Sequence, residues 1–87
     1  MYNKEATVVN QVGLHARPAT FLIQKANEFK CSVWIEKDER KVNAKSLLGV
    51  LSLGIVQGES VNIIGDGPDE VAAVNTLCDL IASEFSE

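Results

Sequence analysis

Across 87 residues the chain has a single histidine, two cysteines, two prolines, one tryptophan and one tyrosine. One histidine and two cysteines without C-x-x-C spacing cannot complete a zinc shell or form a redox motif. Cys31 and Cys78 are also too few to staple a small fold, and Cys78 falls in an apolar helical stripe where a small hydrophobe fits. Basic residues are scarce: eight against twelve acids, a net charge of −4. An acidic domain lacks the basic face that nucleic-acid binding needs. No apolar run approaches the roughly 18–20 residues of a membrane span, and no signal-peptide pattern opens the chain. A cytoplasmic location with reduced thiols is therefore expected, with no nucleic-acid partner and no membrane insertion. No metal or cofactor is expected either.

What is present is ordinary for one globular domain over residues 1–87: 46% apolar and 23% charged residues. A chain of this length buries about 60% of its surface, enough for one modest core but not for a deep active site. Strand-like and helix-like segments alternate. Lys4–Val9 places Ala6 and Val8 on one face and Glu5 and Thr7 on the other. Cys31–Lys37 sets Val33 and Ile35 against Ser32, Trp34 and Glu36, with Trp34 directed away from the core. Lys37-Asp38-Glu39-Arg40 then reads as a tight turn into a short strand, Lys41–Asn43, without the glycine such turns favour. Ser60–Ile64 makes a fourth strand.

Three segments have helical spacing. Ala16–Phe29 carries Ala19, Leu22, Ile23, Ala26 and Phe29 on one stripe; Asp69–Phe85 carries Val71, Val74, Leu77, Cys78 and Ile81. Leu47–Leu53 is short, with Ser46 as its expected N-cap and Gly54 as its stop. The order βαββαβα implies an α+β two-layer sandwich, a mostly antiparallel sheet with helices on one face. The short helix has two apolar faces: Val50 and Leu53 on one, Leu47, Leu48 and Leu51 on the other. Either it is buried all round, or the leucine face is exposed for a partner.

His15 lies in Gly13-Leu14-His15-Ala16-Arg17-Pro18-Ala19, where the first helix begins. Pro18 suits a first helical turn, whose N–H groups lack intrahelical partners. The N–H groups of Ala16 and Arg17 then face outward at the positive end of the helix dipole, an anion site to which Arg17 adds a forked cation. The same dipole end keeps a nearby imidazole neutral, with a lone pair free to attack phosphorus. These pieces make a phosphoryl acceptor. By local spacing alone, a helix start with a solvated arginine is the other reading, and it stays open at this level. Ser46 is first of all a helix cap, though a phosphate would also suit that position. Trp34 on an uncovered sheet face is a structural residue on this reading.

The chain resembles the histidine-containing phosphocarrier (HPr) family of the bacterial phosphoenolpyruvate-dependent sugar phosphotransferase system, Gram-positive-like, over essentially its whole length. The resemblance rests on Gly13–Ala19 and on Asn43-Ala44-Lys45-Ser46-Leu47-Leu48-Gly49-Val50-Leu51-Ser52-Leu53-Gly54. It implies an open-faced sandwich of a four-stranded antiparallel sheet and three helices. It further implies that His15 accepts a phosphoryl group on Nδ1 from phosphorylated enzyme I and passes it to IIA domains of sugar permeases, without turnover by the chain alone. Arg17 would steady that group, with the backbone of Ala16 and Arg17 binding phosphate. Ser46 resembles the site of the HPr kinase/phosphorylase, the modified form serving as corepressor for the catabolite control protein. Thr20, Leu47, Leu48 and Leu51 match the docking surface, to which Lys45 and Arg17 add a cationic edge. A carrier passing between such partners is expected to be a monomer. Gln24, Asn27, Glu39, Leu48 and Leu51 depart from the residues common in relatives and bear on partner preference.

Two rivals belong to other classes. A small acylphosphatase-like hydrolase would need a glycine-rich phosphate loop, and Gly65-Asp66-Gly67 reads instead as a turn. A purely regulatory module would use Ser46 and the leucines alone. A related catabolite regulator lacks the histidine that this chain has at position 15.

Overall fold

The computed structural model describes residues 1–11, 13, 14 and 16–83. Its elements run β1 (Tyr2–Thr7), α1 (Ala16–Ala26), β2 (Ser32–Lys37), β3 (Arg40–Asn43), α2 (Leu47–Ser52), β4 (Ser60–Asp66) and α3 (Glu70–Ala82). The strands form one sheet in the order β1-β4-β2-β3, with every neighbouring pair antiparallel. The expected order and sheet are thus the observed ones.

Strand alternation decides which side of the sheet the helices cover. Val33 and Ile35 of β2 and Val61 and Ile63 of β4 are buried, and Ile35 pairs with Ile63. With Leu22 of α1 and Leu77 and Ile81 of α3 they form one core. Each such side chain contributes about 1.5–3 kcal/mol by leaving water. The opposite face carries Trp34, paired in register with Ile64 and Asn43, and Lys41 Nζ lies 5.3 Å from the Trp34 ring centroid. That stacking explains why the tryptophan is only half exposed on an uncovered face.

The element limits differ from the sequence expectation for local reasons. β1 starts two residues earlier and ends at Thr7, but Val8 remains buried and keeps pairing through Val8 N–H to Glu59 O and Gly58 N–H to Val8 O. α1 stops at Ala26, not Phe29: Asn27 N–H still donates to Ile23 O at 2.9 Å, but the N–H groups of Glu28 and Phe29 donate to Lys25 O and Ala26 O, three residues back instead of four, which takes the chain out of the α-helical ladder. Phe29 still packs against the core from the following turn. In α3 the buried stripe is Ala73, Val74, Leu77, Cys78 and Ile81, whereas Val71 is 50% exposed. Val71 sits in the first turn at the edge of that stripe, and the smaller Ala73 takes the inward place. The expected end of this helix, at Phe85, lies outside the described residues. Both cysteines are free and buried, and burial raises both thiols, Cys31 to about 11.

The β2–β3 turn closes in two residues without glycine, because Asp38 (φ 51°) and Glu39 (φ 67°) both take left-handed backbone. A side chain costs about 1–2 kcal/mol there. After the extra chain entropy of glycine is subtracted, Glu39→Gly is expected to stabilise the fold by about 0.5–1 kcal/mol, seen as a rise of a few degrees in Tm.

Asp69 ties two distant segments together. Its carboxylate accepts from Lys30 N and Cys31 N, both at 2.9 Å, joining the α1–β2 connection to the start of α3. The Lys30 N–H first, then the Cys31 contacts, hold this carboxyl below its usual range. The folded state therefore binds its proton less readily than the unfolded chain. The stabilisation is full above about pH 5 and is lost as pH falls through the lowered value, from roughly pH 4 downward. Asp69→Asn should lower Tm at pH 7 and flatten the acid limb of a Tm-against-pH curve between pH 7 and 3.

Candidate functional site

The segment entering α1 is shaped by its packing on the α2–β4 connection. Leu14 is buried, and its N–H donates to Ile55 O at 3.0 Å. Gly13 has φ +66°, and a Cβ there would lie 2.5 Å from Ile55 O and 2.8 Å from Val56 Cα. Only glycine combines that backbone conformation with that approach. His15, the sequence candidate for phosphoryl acceptor, lies outside the described residues.

α1 begins at Ala16, with Pro18 and Ala19 already buried in its first turn. This fixes the helix start while leaving Ala16, Arg17 and Thr20 exposed. No acidic residue occupies the first turn. The ion pairs among the described residues join the Met1 amine to Glu70, Lys25 to Glu28 and Lys37 to Glu59. Arg17 belongs to none of them, so its guanidinium is available to an external anion. Thr20 Oγ1 donates to Ala16 O at 2.7 Å, which turns its hydroxyl back on the helix. Ala16, Arg17, Thr20, Phe21 and Gln24 line one shallow depression. A helix N-terminus with an unpaired arginine and no carboxylate can bind a phosphoryl group through N–H donors and charge.

α2 packs beside α1. Ser46 caps it as expected, its Oγ accepting from Gly49 N at 3.2 Å. Val50 and Leu53 are buried, whereas Leu47 is 40% and Leu48 82% exposed. Leu51 is half-buried and packs against the core, so the open leucine surface is narrower than the spacing implied. Lys45 departs more clearly from expectation. Its Nζ donates to Phe29 O and Cys31 O, both at 2.8 Å, which binds it to the α1–β2 connection and removes it from the cationic edge. Two carbonyls left over at a chain turn capture the ammonium, a three-dimensional arrangement that sequence spacing does not reveal. The far end of α2 is fastened by Arg40, whose guanidinium donates to Ser52 O at 3.0 Å, and by Lys37 Nζ to Leu53 O at 3.4 Å.

One residue was not singled out by sequence reasoning. Asn10 is 8% exposed and donates from Nδ2 to Gly13 O at 2.8 Å, clamping the turn ahead of α1. A polar residue three before a glycine was the only available signal, and it suits many surface turns equally well.

A family model described as PTS-HPr, the PTS HPr component phosphorylation site, matches residues 2–83. The chain is 43% identical over 84 residues to an HPr-like protein Crh of Halalkalibacterium halodurans, covering 97% of this chain and 100% of that one. It is 37% identical over 87 residues to a phosphocarrier protein HPr of Neisseria meningitidis, covering 100% of this chain and 98% of the other. The solved structure of HPr-C-His from Thermoanaerobacter tengcongensis superposes with a TM-score of 0.96 at 46% identity, covering 100% of this chain and 98% of that one.

Proposed function

We propose, from the premise that the chain belongs to the HPr family of phosphocarriers, that it takes a phosphoryl group onto His15 from phosphorylated enzyme I. It then hands that group to IIA domains of sugar permeases in the cytoplasm, as a monomer. An imidazole nitrogen, Nδ1 by family resemblance, attacks the donor's phosphorus; the new N–P bond forms as the bond to enzyme I breaks. The single observation that best supports this reading is Arg17. It is exposed in the first turn of α1, which holds no acidic residue, and it is unpaired among the described residues. Thr20, Leu47 and Leu48, with the half-buried Leu51, supply the small docking surface suited to transient partners.

Ser46 is the regulatory position on this reading, phosphorylated by an HPr kinase/phosphorylase, the modified form binding a catabolite control protein. Because its Oγ is an N-cap beside Leu47 and Leu48, the added charge favours the helix end and changes docking without unfolding α2. The 43% identity to a Crh supports a second reading, a regulatory module in which His15 is unused. Onward transfer separates the two. Phosphorylated chain mixed with a IIA domain should lose its group within the time that the IIA domain gains it. A phosphorylated chain that loses the group only to water would contradict the carrier reading.

A further inference from the structure

The turn that leads into α1 is held by a side chain whose own polar groups are half satisfied. Asn10 Nδ2 donates to Gly13 O at 2.8 Å, and Gly13 N donates back to Asn10 O at 3.2 Å. The next N–H, of Leu14, donates to Ile55 O at 3.0 Å. The Gly13–Leu14 peptide is therefore held from both sides, its carbonyl by Asn10 and its N–H by Ile55. Because a carbonyl only accepts, the amide orientation is settled: Nδ2 faces Gly13 and Oδ1 points away. That Oδ1 is buried and has no hydrogen-bond partner among the described residues.

A buried acceptor without a donor destabilises a fold. Asparagine here secures one carbonyl while burying an unpaired one, so the amide adds little net stability. What it does accomplish is orientation of the peptide that lies one residue ahead of position 15.

We propose that Asn10 is a positioning residue for phosphoryl transfer, fixing the Gly13–Leu14 peptide and through it the approach to the first turn of α1. The inference rests on the carrier reading above. Asn10 acts through the backbone and touches no phosphoryl group itself. A misplacement of about 1 Å at a reacting centre can slow transfer a hundredfold, so loss of this clamp matters more to rate than to folding.

The test compares wild type, Asn10→Ala and Asn10→Asp, with Leu77→Ala as a core-destabilised control. Asn10→Ala should lower Tm by less than about 5 °C, because one hydrogen bond and one unpaired acceptor disappear together. Its rate of acceptance from phosphorylated enzyme I should fall at least about tenfold. Asn10→Asp keeps the size but offers no donor to Gly13 O at pH 7, so it should be slowed as well. Leu77→Ala should keep its rate wherever it remains folded. A wild-type rate in Asn10→Asp, or equal slowing in Leu77→Ala at the same folded fraction, would overturn the proposal.

A second readout needs no phosphoryl donor. Exchange of the Leu14 amide, whose N–H donates to Ile55 O, should be at least about threefold faster in both Asn10 variants than their global stability accounts for, and in Leu77→Ala should follow global stability alone. If wild type accepts no phosphoryl group, the carrier reading fails by itself. Leu14 exchange that follows global stability alone in the Asn10 variants would then overturn the positioning role independently.

Discussion

Replacing His15 with alanine is expected to abolish uptake of a phosphoryl group from phosphorylated enzyme I while leaving the circular dichroism spectrum nearly unchanged. The methyl group has no lone pair to attack phosphorus, and Arg17 can bind a phosphate but cannot form a transferable bond to it at neutral pH. The helix that follows does not depend on the imidazole, since Ala19, Leu22 and Ala26 are fully buried in the core from α1. Loss of labelling together with loss of helix signal would mean a folding defect. Retained labelling in a folded variant would place the acceptor elsewhere.

The largest stability effect is expected from Gly13→Ala. An added methyl meets Ile55 O at 2.5 Å and Val56 Cα at 2.8 Å, both backbone atoms that cannot swing aside as a side chain could. The left-handed backbone costs about 1–2 kcal/mol for alanine. Overpacking adds about 1–3 kcal/mol, a total of about 2–5 kcal/mol. For a domain of this size that corresponds to a fall in Tm on the order of 10–25 °C. Gly54 has a similar backbone, φ +58°, but open space where a Cβ would go. Gly54→Ala therefore carries the conformational cost alone, and thermal melts of the two variants isolate the contact. Equal losses in both would contradict the close approach of Gly13 to Ile55 and Val56.

The strands were the most legible part of this chain, because a period of two leaves little choice once one face is apolar. Val33 and Ile35 point inward and Trp34 outward, as their alternation requires. Helix ends were less legible. α1 ends where Glu28 and Phe29 donate three residues back instead of four, and Val71 lies just outside a stripe whose small inward member, Ala73, resembles any surface alanine. The candidate site divides along the same line. Features local in sequence were visible: Ser46 as cap, Arg17 in a first turn, Leu47 and Leu48 on an outer face. Features that depend on distant backbone were not. Lys45 is captured by Phe29 O and Cys31 O, Asp69 by two N–H groups some 38 residues away, and Gly13 by Ile55. A side chain's freedom to act on a partner depends on such captures, so the cationic edge is reduced to Arg17.

The most direct test of the account is the intact mass of the chain after incubation with enzyme I and phosphoenolpyruvate, before and after mild acid. The account predicts one added phosphoryl group that mild acid removes and that His15→Ala never gains. An unchanged mass, or an acid-stable addition that persists in His15→Ala, would contradict it.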